Sequence, residues 1–362
     1  MRVLAVNAGS SSLKLSLVGE DGLIDALEFD SDDAPHEAAV RDALNASLAG
    51  ADAIGHRIVH GGERFVAATL VDKEVEAALR ELSDLAPLHQ PKSLAALDLI
   101  SRLLPEIPAV ACFDTAFHAD LPAAASTYAL PAEWRERWPI RRYGFHGLSH
   151  GWVARQAPRS LNCSPAGLRL VSCHLGAGAS LCAIADGRSV DTTMGFTPLE
   201  GLVMATRSGD VDPGLVLWLL QHTDLTASQL EAALEQQSGL KGLAGTADMR
   251  LVLSHAGDGD AASALALDVW LHRLRGLIAG MAAAMGGLDV LVFTGGVGER
   301  SAEIRALAVQ GLTFLGVMID AERNESASGD VELTADGALT RTLVMQARED
   351  LEIAMQTRAV LE

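Results

Sequence analysis

The stretch Val6–Lys14, VNAGSSSLK, decides how the rest of the chain is read. An apolar run, MRVLAV, enters it and an alternating run, LKLSLV, leaves it, so the pattern predicts two strands joined by a polar turn. Such a turn suits an anion. Gly9 allows close backbone approach, the hydroxyls of Ser10, Ser11 and Ser12 add donors to the backbone amides, and Lys14 places a point charge on the returning strand. The ordinary alternative is a plain hairpin turn, which draws on the same residue types.

Two more apolar runs stop at glycine-rich turns. In LRLVSCHLGAGASLCAIADGRSVDTT, strand-like alternation runs to Cys173, turns through His174 to Gly178, resumes to Ile184 and turns again at Asp186 and Gly187. The order of strand, polar residue, glycine, serine and returning strand repeats that of the N-terminal hairpin. It predicts two related halves, each opening on a phosphate-facing hairpin. In LDVLVFTGGVGERSAEIRALAVQGL a buried strand precedes Gly295, Gly296 and Gly298, and Ser301 reads as the N-cap of a helix. A dinucleotide fingerprint needs a helix directly after its glycines, and the hairpin at Gly176 returns as a strand. No GxxxxGK[ST] loop occurs either.

Helical spacing is clear over residues 73–85, 92–104 and 261–285. The acidic, weakly patterned stretch from Glu20 to Asp52 reads as a short surface excursion. Asp350 to Leu361 reads as a helix with Leu351, Ile353 and Ala354 on its apolar stripe, expected to return onto the first half. At 362 residues two domains are expected, and with no Pro/Ser-rich linker the boundary is placed at a hinge near residues 117–120.

A formal charge of −19 argues against nucleic acid and anionic membrane as partners. No charge-free apolar run is long enough to span a bilayer, and the chain enters a strand at its N-terminus, so a cytoplasmic protein is expected. Cys112, Cys163, Cys173 and Cys182 show no CxxC spacing, and three of them sit in apolar or alternating runs, so they read as reduced core residues.

Charge and histidine gather in short clusters: Arg57 and His60 in GHRIVHGGE, His89 in PLHQP, Asp114 in CFDTAFH, His146 and His150 in YGFHGLSH, and Arg207 in GLVMATRSGDVDPG. A histidine beside glycine is commonly a hydrogen-bonded structural residue. Arg57 and Arg207 stand among apolar or small neighbours, where a guanidinium needs an anionic partner, either a carboxylate or a ligand. Without HExxH or paired CxxC, zinc is not expected. Asn7, Asp114 and Glu349 offer oxygen atoms of the kind Mg²⁺ takes together with water and phosphate, although Glu349 also reads as a solvated carboxylate at a helix start.

In this order the clusters VNAGSSSLK, GHRIVHGGE, FDTAFH, YGFHGLSH and MGFTPLEGLVMATRSG closely resemble the acetate kinases of the acetate and sugar kinase, Hsp70 and actin superfamily, over essentially the whole chain. The resemblance implies a duplicated actin-like (ribonuclease H-like) α/β fold, with a cleft between two domains. Residues 1–118 joined by the C-terminal helix 351–362 form one, and residues 119–350 form the other. It implies ATP or ADP phosphates at Ser10, Ser12, Lys14 and the hairpin of His174, Leu175, Gly176, Ala177 and Gly178. Adenosine contacts are implied at Asp248, Met249 and Arg250 and at Gly296, Val297, Gly298, Glu299 and Arg300, with Mg²⁺ (or Mn²⁺) at Asn7 and Glu349. Arg57 and Arg207 would place acetate, its methyl in a pocket of Val59, Leu88, Phe145 and Pro198, with Asp114, His146 and His174 around the transferring phosphoryl group.

The implied activity is reversible transfer of the ATP γ-phosphoryl group to acetate, giving acetyl phosphate and ADP. A carboxylate acceptor with a pKa of about 4 is already ionised and needs no general base. It needs charge neutralisation and in-line positioning, so direct transfer is expected in preference to a phosphoenzyme on Asp114 or Glu349. A propionate or other short-chain acyl kinase is an alternative, as is a non-catalytic actin- or Hsp70-like nucleotide-binding protein. The resemblance also implies a homodimer through the second domain, with the helix at 261–285 a candidate contact. The chain departs from the family pattern at Ala177, where HLGNG is usual, at Gln90 and Arg300, each in place of Asn, and in reading ARE before Asp350 where TNE is more frequent. It is also short for the family, mainly between Glu20 and Asp52.

Overall fold

The computed structural model describes residues 1–9, 12–30, 37–86 and 89–362. Its strands are β1 (Val3–Ala8), β2 (Ser12–Gly19), β3 (Gly22–Asp30), β4 (Ala53–Ile58), β5 (Thr69–Leu70), β6 (Ala109–Phe113), β7 (Arg169–Leu175), β8 (Ala179–Ala185), β9 (Arg188–Thr192), β10 (Val290–Thr294), β11 (Val331–Glu332) and β12 (Arg341–Val344). They form two six-stranded sheets, ordered β3-β2-β1-β4-β6-β5 and β9-β8-β7-β10-β12-β11. The sheets match strand for strand. Each has an antiparallel three-stranded meander, two parallel strands beyond it and a two-residue antiparallel edge strand. Even the irregularity repeats: the register shifts between Leu17 and Val18 in the first meander and between Ala183 and Ile184 in the second. The echo in the sequence is therefore a duplication of topology.

The central strands β1, β4, β7 and β10 are buried on both faces, as their near-continuous apolar runs require. Helix Gln90–Leu103 covers one face of the first sheet, where Ala96, Leu99 and Ile100 meet Leu4, Val6 and Ile54. The C-terminal helix Glu349–Leu361 lies on the other face, with Ile353 against Ala5, Val110 and Cys112. Gly55 makes that contact possible, because a Cβ there would stand 2.4 Å from both Ile353 Cγ2 and Thr357 Oγ1. On the second sheet the long helix Ala261–Ala284 buries Trp270, Leu274 and Ile278 against Val171, Leu181 and Phe293. Helix Gly147–Ser160 buries Val153 and Ala157 against Leu170 and Val292 on the opposite face. Each such large apolar side chain contributes roughly 1.5–3 kcal/mol. Ser301 caps helix Ala302–Gln310 by accepting from the amide of Ile304.

The stretch from Glu20 to Asp52 corrects the expectation of a surface excursion. Gly22–Asp30 pairs with β2 along its length, and helix Glu37–Asn45 buries Val40, Ala43 and Leu44 in the core under β1 and β2. As the outermost strand of its meander, β3 has no buried residue between Gly22 and Phe29, so its carboxylates face water and blur the alternation.

Candidate active site

The carboxyl ends of the parallel strands bring the charges together. Arg57 lies one residue from the end of β4, and Asp114 directly follows β6, its neighbour in the sheet. Arg57 Nη2 donates to Asp114 Oδ2 at 2.6 Å and Nε reaches both carboxylate oxygens at 3.1 Å. Arg57 Nη1 donates to Asn7 Oδ1 at 3.0 Å, and Asn7 Nδ2 donates to Glu349 Oε2 at 2.7 Å, so one network joins β1, β4, β6 and the start of the C-terminal helix. Burial would draw the Arg57 guanidinium down, but the Asp114 and Glu349 carboxylates outweigh it and keep the group a permanent cation. Burial pushes the Asp114 carboxyl up while Arg57 pulls against it. At Glu349 burial is outweighed by Arg57, His174, the Asn7 hydrogen bond and Lys14, and the carboxyl is held low.

Opposite this network stand two stacked imidazoles. His146 and His174 have ring centroids 4.4 Å apart at 28°. His146 heads helix Gly147–Ser160 in the left-handed region, φ 56°, and Gly147 N donates to Asp114 O at 2.8 Å, which ties the helix start to the charged network. His174 lies one residue from the end of β7, with Nδ1 2.8 Å from Ser149 Oγ. Burial holds both imidazoles below their usual range, helped at His146 by His174 and the two arginines. Both are neutral.

Arg207 enters from the second half. Its Nε is 3.0 Å from Glu235 Oε2, Nη1 donates to Pro198 O at 3.1 Å, and Nη2 donates to His89 Nε2 at 2.5 Å. Burial lowers the Arg207 guanidinium, with Glu235 opposing. Burial, then Arg207, Arg57 and Lys92, push His89 down to about 3, so it accepts from Arg207 as a neutral ring.

These groups line one cleft of about 700 Å³. Of the site residues that the resemblance implies, the structure brings Asn7, Ser12, Lys14, Arg57, Val59, Asp114, Phe145, His146, His174, Gly176, Ala177, Gly178, Pro198, Arg207, Gly296, Glu299, Arg300 and Glu349 to its wall. Ser12 Oγ donates to Glu28 Oε1 at 2.7 Å, and Glu299 Oε1 accepts from the amides of Gly295 and Ala347, both at 2.9 Å. Ser10 and Leu88 lie outside the described residues. Six others do not line the cleft. Leu175 and Met249 belong to the second core, Val297 packs against it, and Gly298 is buried beneath the glycine turn. Asp248 caps helix Met249–Gly257, and Arg250, 90% exposed, folds back onto Asp248 at 2.5 Å.

The cleft also holds His89, Lys92, Gln346, Ala347 and Arg348, with Glu235 behind Arg207. PLHQPK carried a signal in its His and Lys, but Glu235, in the acidic helix Ala227–Gln236, looks like its solvated neighbours until the chain folds. Among the described residues no group of three or more His, Cys, Asp or Glu is placed to hold a metal. A cation held here would take one carboxylate, Glu349, and the amide of Asn7, which suits a hard ion that keeps water and phosphate in its shell. Cationic walls in an acidic chain, neutral donors and a small apolar face formed by Val59, Phe145 and Pro198 can bind a short carboxylate beside a polyphosphate.

A sequence profile described as the acetokinase family matches residues 36–355. An acetate kinase from Desulfitobacterium hafniense is 39% identical, with all of both chains covered, and one from Gloeobacter violaceus is 47% identical over 84% of this chain and 75% of its own. Among solved structures, the acetate kinase of Porphyromonas gingivalis superposes with a TM-score of 0.90 at 34% identity, covering 100% of each chain. A propionate kinase from Francisella tularensis does so with a TM-score of 0.92 at 33% identity, covering 99% of each.

Proposed function

The chain belongs to the acetokinase family, and from that membership and the geometry of its cleft we propose that it reversibly transfers the γ-phosphoryl group of ATP to acetate, giving acetyl phosphate and ADP. One observation carries the reading. Arg57 and Arg207, from opposite halves of the chain, reach the same cleft beside the His146–His174 pair and the apolar wall of Val59, Phe145 and Pro198.

The acceptor carboxylate arrives ionised, so the barrier is the approach of one anion to another. Arg207 neutralises the equatorial oxygens of the transferring group, Arg57 orients the acetate carboxylate, and His146 donates a hydrogen bond that strengthens as charge develops. Lys14 and the hairpin around Gly176 and Gly178 hold the nucleotide phosphates, with adenosine toward Gly296 and Arg300. Asp114 fixes Arg57 and stays out of covalent chemistry. Mg²⁺ or Mn²⁺, held by Glu349 and Asn7, supplies neutralisation of the β- and γ-phosphates when bound.

Residues 1–118 with 351–362 and residues 119–350 act as two bodies that close over ATP, with the hinge near 117–120 and 350. The active form is a homodimer. Its contact is helix Pro213–His222, which has no buried residue although Leu215, Leu217 and Trp218 are 48%, 58% and 52% exposed. The helix Ala261–Ala284, the candidate from sequence, commits much of its apolar surface to the second core.

The test is acetyl phosphate formation from ATP, Mg²⁺ and acetate, trapped as the hydroxamate. Stoichiometric hydroxamate and ADP are expected, and ADP without hydroxamate overturns the reading. The propionate kinase among the structural relatives makes propionate the second substrate to assay. One methylene is worth roughly 1–3 kcal/mol, so a kcat/KM for acetate about tenfold or more above that for propionate is expected.

A further inference from the structure

Behind His146 runs a line of hydroxyls and a second buried imidazole. His146 Nδ1 is 2.9 Å from Ser180 Oγ, Ser180 Oγ is 2.8 Å from His150 Nε2, and His150 Nδ1 is 2.9 Å from Ser172 Oγ. The geometry is set by secondary structure. His150 lies one helical turn after His146, its amide donating to His146 O at 2.9 Å, so both rings leave the same side of helix Gly147–Ser160. Ser172 and Ser180 stand on the adjacent strands β7 and β8 that this face covers, and Ser180, His150 and Ser172 are all completely buried.

A neutral imidazole carries one proton, and the buried Ser180 hydroxyl has only these two ring nitrogens to donate to, so the line has two orders that use every proton. In one, Ser172 Oγ–H donates to His150 Nδ1, His150 Nε2–H to Ser180 Oγ, and Ser180 Oγ–H to His146 Nδ1, which leaves a proton on His146 Nε2. In the other every arrow reverses, and His146 Nε2 shows a lone pair. The stack on His174 fixes the ring plane, and Nε2 faces Gly178 and the cleft. A lone pair there would repel the anionic phosphoryl oxygens, whereas an N–H would bind them. We propose that Ser180, His150 and Ser172 form a relay that fixes His146 in its Nε2–H tautomer, so that an uncharged histidine donates to the transferring phosphoryl group. Ser180 and His150 are positioning residues, and the inference rests on the phosphoryl-transfer reading given above. Burial keeps both imidazoles well below their usual pKa, so the tautomer decides what His146 can do.

The test is ¹⁵N NMR of the full-length protein labelled at histidine, with Mg²⁺, acetate and a non-hydrolysable ATP analogue. Nε2–H signals are expected for both His146 and His150, and an Nδ1–H signal for His146 overturns the proposal. In Ser180→Ala the His146 tautomers should mix and kcat should fall about 10- to 100-fold, less than outright loss of a donor. KM for ATP and for acetate should stay within about twofold, because the ground state loses little. Ser180→Thr, which returns the hydroxyl, should restore both tautomer and kcat. A Ser180→Ala protein that loses kcat with its tautomer unchanged contradicts the relay. The wild-type spectrum alone decides the matter if that variant does not fold. The tautomer is read without turnover, so full activity in His146→Ala would sink the role given to His146 and not the relay.

Discussion

The two arginines that meet in the cleft are held in opposite ways. Arg57 sits at a strand end, boxed in by Asp114, Asn7 and Glu349. Arg207 comes from the segment leading into helix Pro213–His222, with Glu235 as its carboxylate partner and the carbonyl of Pro198, the sulfur of Met204 and the neutral ring of His89 as its uncharged ones. Two carboxylates surround the first guanidinium and one the second. Arg57 is thus a rigid element of a pre-built frame, while Arg207 can exchange an uncharged acceptor, His89, for a phosphoryl oxygen. The same split runs through the duplicated sheets. The first places an amide at the end of β1 and charges at the ends of β4 and β6, and the second places glycine just past the ends of β7 and β10, where a polyphosphate needs room.

Removing Arg207 tests the contrast hardest. Arg207→Ala should reduce kcat by about 10³-fold or more, as for arginines that neutralise a transferring phosphoryl group, with stability little changed. Near-normal turnover would remove Arg207 from the transition state. Neutralising the two partners should separate the frames. Asp114→Asn should lower kcat about 100-fold and cost roughly 3 kcal/mol or more in urea unfolding, because it breaks a buried ion pair. Glu235→Gln, which keeps one hydrogen bond, should cost about tenfold in kcat and about 1–2 kcal/mol at most. Equal losses in the two variants would erase the distinction between frame and movable group.

Much of this was legible because it is local. The turn at Gly9, the turn from His174 to Gly178 and the strand before Gly295 are punctuation that a hairpin or a strand end demands. The apolar stripe of the last helix likewise announces a buried face, and Ile353 and Ala354 are completely buried. What the sequence hid is partner choice over distance. Arg57 and Asp114 are 57 residues apart, and Arg207 finds Glu235 across the helix Pro213–His222, on a second helix whose other carboxylate, Glu231, faces water. The edge strand β3 was hidden for another reason: with no buried face it carries little periodicity. Asp248–Arg250, expected as adenosine contacts, start a helix that Asp248 caps, a local role that the DMR triplet does not distinguish from ligand binding.

Smaller effects sharpen the comparison within the second hairpin. Ala177 lines the cleft with no polar side chain, so Ala177→Asn should gain one hydrogen bond to a nucleotide phosphate, about 0.5–1.5 kcal/mol. The KM for ATP should fall several-fold and that for acetate should not move. An unchanged or raised KM for ATP would show that Arg300 or water already serves that phosphate.

The buried histidines also differ in how they are partnered. In the second half His146, His150 and His174 each meet a serine, whereas His56 in β4 is buried with neither ring nitrogen partnered. Burial pushes His56 down to about 3. The folded value lies below the unfolded one near 6.5, so its contribution to stability is complete above about pH 6.5 and is lost as pH falls toward 3, at up to roughly 1.4 kcal/mol per pH unit. His56→Leu should reduce the loss of stability between pH 7 and pH 5 by one histidine's share, the other buried histidines keeping theirs, and leave kcat within about twofold. An unaltered pH slope would show that His56 is not what titrates.

The central claim is direct in-line transfer between a nucleotide and an acetate held together in the cleft between the two halves. Stereochemistry at phosphorus tests it most directly. With ATP made chiral at the γ-phosphorus by oxygen isotopes, a single displacement gives acetyl phosphate of inverted configuration, and inversion is the result predicted. Retention would require two displacements through a phosphorylated side chain, with Asp114 or Glu349 as its carrier, and would contradict the account.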